Sequence, residues 1–233
     1  EYLRFPLLPR QLDGLKIIQI SDLHLGSWAN RDALDEAVEV INSEDPDLVL
    51  FTGDLVNFHT REAFTYEDVL EKIDARYGVY AVLGNHDYGD YVKWDSEAEK
   101  ERNLRDLEDL YRRMGWRLLK NANEVIDVDG IPLAVVGVEN WSLYDRFPKH
   151  GDVRKAFEGA ESASFRLLLS HDPTHWDQVV SVEHPEIHLT LSGHTHGFQF
   201  GVELKIFRWS PAQYMYKRWA GLYENPATDN PQY

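Results

Sequence analysis

Short apolar runs that stop abruptly at small polar clusters recur along this chain. Leu15–Ile20 (LKIIQI), Leu48–Thr52 (LVLFT) and Val79–Leu83 (VYAVL) are too short for helices and largely apolar on both faces, the pattern of strands buried in a parallel sheet. Between them, Arg31–Ser43 carries Leu34, Ala37, Val38 and Ile41 at helical spacing and is closed by Pro46, and a second helix is predicted near Tyr66–Ala75. The alternation is a β-α-β-α-β run, hence a parallel sheet with right-handed crossovers.

Beyond it the pattern changes. Asp95–Met114 is highly charged with one apolar stripe, Leu104, Leu107, Leu110 and Tyr111, and predicts a solvated helix whose charge has no functional weight. Glu124–Val128 and Ile131–Val138 flank the turn pair Asp129-Gly130 and predict a hairpin, so the topology becomes mixed. Phe165–Leu169 and Ile187–Leu191 are two further apolar strands. Strands at that density exceed one doubly wound sheet, so the expected architecture is α/β, with two sheets packed face to face and helices outside. The tail from Asn225 to Tyr233 is expected to be loop, with nothing after it to close the second sheet.

Five of the apolar runs end at acid, histidine or asparagine clusters: Asp22-Leu23-His24, Gly53-Asp54, Gly84-Asn85-His86-Asp87, Ser170-His171-Asp172 and Gly193-His194-Thr195-His196. Strands of one sheet bring their carboxyl ends to a common edge, so these clusters are expected to converge there. A single Asp or His at a strand end is usually a cap or turn former. Five in succession are not explained that way.

Composition narrows the chemistry. The 233 residues, 43% hydrophobic and 27% charged, fit one globular domain over 1–233. The chain has no cysteine, which excludes disulfides and thiolate chemistry and leaves oxygen and nitrogen as metal ligands. A formal net charge of −16 argues against a nucleic-acid partner, which needs clustered Lys and Arg. Two divalent cations held by Asp22 and Asp54 with a hydroxide between them would still leave the site locally positive and attractive to phosphate.

Asp22 and His24 stand two apart on a chain leaving a strand and can face one point. Asp54, after a glycine, can bridge two cations about 3.5–4 Å apart. Asn85 supplies a neutral carbonyl oxygen, and His171, His194 and His196 complete a donor set suited to Mn²⁺ foremost, or to Fe²⁺, Zn²⁺ or Co²⁺. His86 is the candidate catalytic residue, able to hold a phosphoryl oxygen or protonate a leaving alkoxide, a contribution of about 10²–10⁴-fold. Its alternative is a structural histidine paired with Asp87 or Asp172, and Asp172 can instead orient a ligating imidazole. The remaining histidines, His59, His150, His175, His184 and His188, are expected to be surface or capping groups.

In this order, DLH, GD, GNHD, SHD and GHTH resemble the calcineurin-like metallophosphoesterase family from Leu15 to about Gly201. The resemblance implies a four-layer αββα sandwich of two mixed β-sheets flanked by helices. It implies a dimetal site in which one ion takes Asp22, His24, Asp54 and His196 and the other Asp54, Asn85, His171 and His194. A metal-bridging hydroxide is then expected to attack phosphorus in line while His86 assists the leaving group. Many members carry an Asp-Arg pair where this chain has Asn57-Phe58, which removes a carboxylate partner for His86 and a phosphate-gripping arginine and disfavours the phosphoprotein phosphatases.

SDLHLGS, GNHDYG and SGHTHGFQFG are instead similar to the bacterial membrane-associated phosphohydrolase (YkuE/YaeI-like) branch. That likeness implies extension beyond both ends, a membrane or cell-envelope location for a full-length bacterial protein through a segment absent here, and a soluble domain in this chain. The expected function is dimetal hydrolysis of a phosphodiester or pyrophosphate, with a catalytically silent metal-binding scaffold as the alternative. Phe58, Tyr88, Tyr91, Trp94, Trp141, Tyr144, Phe198 and Phe200, with Lys93 and Arg146, lie in or beside the motif loops and suit a phosphorylated small molecule or a lipid, such as a nucleotide-linked lipid precursor. For any one of them, ordinary packing under a loop is the simpler role.

Overall fold

The computed structural model describes residues 1–196, 202–204, 207–225 and 232–233, with 202–204 and 207–209 as backbone only. Strands β1 (Ile17–Ile20), β2 (Leu48–Phe51), β3 (Val79–Ala81) and β4 (Arg117–Leu118) form one sheet in that order, all parallel. Helices α1 (Asp32–Ser43), α2 (Glu67–Leu70) and α3 (Glu97–Arg113) make its crossovers. The second sheet runs β5 (Ala122–Val128), β6 (Ile131–Gly137), β7 (Phe165–Leu169), β8 (Leu189–Leu191), with β5–β6 antiparallel and the other pairs parallel. Helix α4 (Val153–Phe157) lies between β6 and β7, and β9 (Val202–Leu204) and β10 (Phe207–Trp209) form a separate antiparallel pair.

Period-two alternation along each strand sorts the core into three layers. Val49, Phe51, Val79 and Ala81 face the layer shared with Leu34, Val38, Leu107 and Leu110 of the first-sheet helices. Their neighbours Leu48, Leu50, Tyr80 and Val82 turn the other way and meet Leu133, Val135, Leu167 and Leu169 between the sheets. Ala134, Val136 and Leu168 then pack against Val153, Ala156, Trp176 and Val180 on the far side. This is the expected sandwich, with mixing of strand direction confined to the second sheet. Burying each of the valine, leucine and phenylalanine side chains among them stabilises the fold by about 1.5–3 kcal/mol.

Four features depart from the sequence expectation. The helix near Tyr66–Ala75 is a single turn, Glu67–Leu70, because Ile73 and Ala75 are drawn into the chain that returns to β3 and packs on the same core. Strand β4 and helix α4 are too short to show a period. The terminal residue is not free loop: Tyr233 N–H donates to His188 O at 3.0 Å and its carbonyl accepts from Thr190 N–H at 2.7 Å, so it runs along the open edge of β8.

Candidate metal centre

Every predicted cluster sits at the carboxyl end of its strand, and backbone hydrogen bonds lock the ends together. Asp22 N–H donates to Gly53 O at 2.9 Å, His24 N–H to Asp54 O at 3.1 Å and Gly193 N–H to His171 O at 2.8 Å. Two bonds join the sheets at the site itself: His194 N–H to the Asp22 carboxylate at 3.0 Å, and His171 Nδ1–H to Thr52 O at 2.7 Å. The glycines are steric requirements here. A Cβ on Gly84 would stand 2.2 Å from Asp54 Oδ1, and one on Gly193 1.9 Å from Ser21 Oγ.

Asp22, His24, Asp54, His194 and His196 all have positive φ, between 45° and 68°. That left-handed backbone costs an L-residue with a Cβ of order 1–3 kcal/mol and turns each side chain inward from the strand end. The result is two donor groups. One ligand atom each from Asp22, His24, Asp54 and His196 lie within 4.8 Å of one another, and so do those of Asp54, His171 and His194. Asp54 belongs to both groups. Its Oδ2 is 3.2 Å from His171 Nε2 and 3.6 Å from His24 Nε2. His24 Nε2 and His196 Nε2 approach to 3.1 Å, and His194 Nδ1 and His171 Nε2 to 3.2 Å.

Asn85 offers a different kind of donor. Its Nδ2–H donates to Tyr91 Oη at 2.7 Å, while its Oδ1 is buried with no hydrogen-bond partner among the described residues. A buried carbonyl oxygen left unpaired is costly, and a cation is a partner of the right charge. With carboxylate, imidazole and amide donors converging, the residues fit a pair of divalent ions and form the divalent-metal site typical of such donor sets.

The electrostatics agree. Burial raises the Asp54 carboxyl, yet His171 beside it holds it well below the usual carboxylate range. Burial lowers His171, but Asp54 outweighs it and pushes it up to about 10. Burial, then the His171 charge, takes His194 down to about 4, and burial lowers His24. A proton on His171 thus compensates the carboxylates, and a metal ion bound there has to displace it.

The other candidates divide. His86 N–H donates to Asp54 Oδ1 at 2.9 Å, and its Nδ1 is 2.7 Å from Asn57 O, which fixes the ring. The Asn57 backbone carbonyl thereby takes the place of the carboxylate partner that Asn57 lacks as a side chain. Asp87 is fully buried and accepts from the N–H groups of Asp54, Leu55, Val56 and Gly84 at 2.9–3.3 Å, tying the loops after β2 and β3 together. Asp172 Oδ1 accepts from Thr174 N–H and Oγ1–H, and its Oδ2 is 3.5 Å from His194 Nε2. Neither acid pairs with His86.

Two residues were not legible beforehand. Tyr216 Oη lies 2.8 Å from His194 Nε2 and orients that ring, and Glu62 accepts from the N–H groups of Asn57, Phe58 and His59 and shapes their loop. Neither lies in a periodic segment beside a motif. Of the aromatic rim, Tyr91 stacks on His86 at 4.4 Å and Phe58, 39% exposed, lies 6.3 Å from it. Tyr88 is buried, Trp94 packs on His59, Trp141 stacks on His175, and the Tyr144 hydroxyl donates to Met215 O; Phe198 and Phe200 lie outside the described residues. His175 and His184 are buried rather than superficial, bonded to Ser170 Oγ and Glu186, and His188 stacks on Phe165.

The family described as calcineurin-like phosphoesterase matches residues 15–198. A transmembrane protein with metallophosphoesterase domain from Danio rerio is 32% identical over 214 residues, covering 88% of this chain and 45% of that protein. The uncharacterized metallophosphoesterase YkuE of Bacillus subtilis (strain 168) is 28% identical over 200 residues, covering 83% and 62%. The chain therefore spans about half the length of the curated relatives it matches. The 5'-nucleotidase precursor from Thermus thermophilus superposes with a TM-score of 0.51 at 15% identity, over 78% of this chain and 42% of that one, a likeness of fold.

Proposed function

The chain belongs to the calcineurin-like phosphoesterase family, and from that premise we propose that residues 1–233 act as one catalytic domain, a dimetal-dependent hydrolase of phosphodiester or pyrophosphate bonds. The observation that carries this reading is the pair of donor groups sharing Asp54. We assign Asp22, His24, Asp54 and His196 to one ion and Asp54, Asn85, His171 and His194 to the other, with Mn²⁺ as the ion that so many imidazoles beside carboxylates suit. Bound there, the ions supply Lewis acidity and a water of lowered pKa. The chain's own residues do the rest. His86, its Nδ1 engaged by Asn57 O, presents Nε2 to substrate and delivers a proton to the leaving oxygen. Asp87 and Asp172 hold the loops and rings in place rather than touching substrate.

A cavity of about 1420 Å³ adjoins the centre at Asp22, Gly193 and His196 and runs past Phe5, Leu8, Trp176 and Leu191. It supports a substrate with an apolar part beside its phosphate, a lipid in preference to a bare nucleotide. The SDLHLGS and GNHDYG loops and the likeness to YkuE support placement in that branch. Among the described residues no helix is long and apolar enough to cross a membrane. The likeness to that branch is what supports membrane association of the full-length protein, and fractionation tests it: recovery in the membrane pellet is expected, and recovery free of membranes refutes it.

Turnover of bis-p-nitrophenyl phosphate with Mn²⁺ tests the central reading, and no rate above that of metal alone would leave a silent scaffold. Asp54→Asn is expected to lose activity together with bound metal. His86→Ala is expected to lose about 10²–10⁴-fold in kcat with both ions retained. Metal analysis of the two purified variants decides the roles, and the reverse pattern of metal loss would overturn them.

A further inference from the structure

The loop between β6 and α4 carries a cation to the mouth of the centre on a fixed frame. Asn140 closes the loop, its carbonyl accepting from His150 and Gly151 N–H at 2.8 and 3.1 Å and its Nδ2–H donating to Pro148 O at 2.9 Å. Leu143 N–H donates to Thr174 Oγ1 at 3.0 Å and Tyr144 Oη–H to Met215 O at 2.6 Å, so the tip is anchored from two sides. At that tip Phe147 sets its ring edge-on to His194, centroids 4.8 Å apart. The Arg146 guanidinium lies 4.6 Å from the Phe147 ring centroid and 5.8 Å from that of Tyr144.

Arg146 is felt on both walls of the opening. Burial pushes the Tyr216 phenol up to about 12, and Arg146 pulls against that shift. Tyr216 is the residue bonded to His194 Nε2. Burial likewise raises Tyr91, with Arg146 among the groups opposing it, and Tyr91 stacks on His86 and is bonded to Asn85. Tyr91 follows β3 of the first sheet, whereas Tyr216 lies in the segment after β10. The guanidinium is exposed, and among the described residues no carboxylate lies within ion-pair distance of it, whereas Arg31, Arg76, Arg113, Arg117 and Arg218 are all paired with acids. Ring faces flank its carbon plane, the Tyr216 hydroxyl takes one of its N–H groups, and the planar fork has further donors to offer.

We propose that Arg146 is the anion-binding residue of this site, its guanidinium donating to a non-bridging phosphate oxygen of a substrate or product seated over the Asp54 donor groups. The assignment rests on the hydrolase reading and adds to it a charged contact to the phosphate from outside the donor groups and His86. A planar fork that pairs two N–H groups with two phosphate oxygens selects a phosphate over a carboxylate or sulfonate of similar size only through its charge and spacing, so phosphate itself is the probe.

Inorganic phosphate titrated calorimetrically into Mn²⁺-loaded protein tests this, comparing wild type, Arg146→Gln, Arg146→Lys and, as a distant surface control, Arg105→Gln. Arg146→Gln is expected to weaken phosphate binding about tenfold and to raise KM for bis-p-nitrophenyl phosphate more than it lowers kcat, with metal content and Tm unchanged. Arg146→Lys recovers part of the loss, and Arg105→Gln behaves as wild type. Equal phosphate affinity in Arg146→Gln and wild type, both with two ions bound, overturns the assignment and leaves the hydrolase reading standing. Loss of metal or of several degrees in Tm in Arg146→Gln also overturns it, since the arginine would then be a prop for the loop. A wild-type protein that takes up no metal and turns over no phosphoester brings down the hydrolase reading itself.

Discussion

Strain is concentrated on the residues of the candidate metal groups. Five donors sit in left-handed backbone, where a Cβ crowds the adjacent carbonyl, and each such residue costs of order 1–3 kcal/mol. His24 shows the trade most clearly: φ is 45°, and its Nδ1 is buried with no hydrogen-bond partner among the described residues. Asparagine tolerates that conformation better than histidine does. His24→Asn is therefore expected to lower Mn²⁺ affinity while leaving the Tm of the metal-free protein unchanged or higher. A calorimetric scan of the apo variant that falls by several degrees would show that His24 is kept for packing instead. That these residues gather at one edge was readable from the motifs; their left-handed backbone was not, because Asp and His enter that region only occasionally and it is the folded edge that imposes the turn at positions 22, 24, 54, 194 and 196.

At the scale of elements, the strands with the strongest patterns were legible and the short pieces were not. β2 alternates between two fully buried layers, so its apolar run is continuous and easily read, whereas β4 has two residues and α4 five, lengths at which no period can be counted. The β7–β8 pair also hides a titrating group that looked superficial. Arg166 N–H donates to His188 Nδ1 at 3.2 Å, which fixes the neutral tautomer, and the ring stacks on Phe165 at 4.6 Å. Burial, then the Arg166 charge, lowers its pKa from 6.5 to about 4. Above pH 6.5 neither the folded nor the unfolded chain protonates it, and its contribution is fully present. As pH falls from 6.5 toward about 4 the unfolded chain takes up a proton that the fold refuses, so stability is lost across that window. Urea midpoints at pH 6.5 and 4.5 are expected to fall less for His188→Gln than for wild type. An identical drop in both proteins would mean that His188 is free to protonate in the fold.

For the molecule as a whole, the centre is a clasp between two sheets. Asp22, His24, Asp54 and Asn85 come from the edge of the first sheet, and His171, His194 and His196 from the edge of the second, while an apolar layer from Leu48 to Leu169 fills the space beneath. Ions bound across that seam would attach to the folded arrangement alone, because the unfolded chain scatters the seven candidate donors over 175 positions of sequence. Binding to the native state stabilises it by RT ln(1 + [L]/Kd), about 2.7 kcal/mol at a hundredfold excess over Kd. Mn²⁺ is accordingly expected to raise Tm by several degrees and chelation to reverse the rise, as read by differential scanning calorimetry. The control lies in the layer beneath: Leu50→Ala, which leaves every donor in place, should lower stability by about 2–5 kcal/mol with and without metal alike. Asp54→Asn should instead abolish the metal-dependent increment, since its carboxylate is the donor common to both groups. If Mn²⁺ stabilised Asp54→Asn as fully as wild type, the ions would be binding outside the seam, and the shared carboxylate would have no part in joining the two sheets.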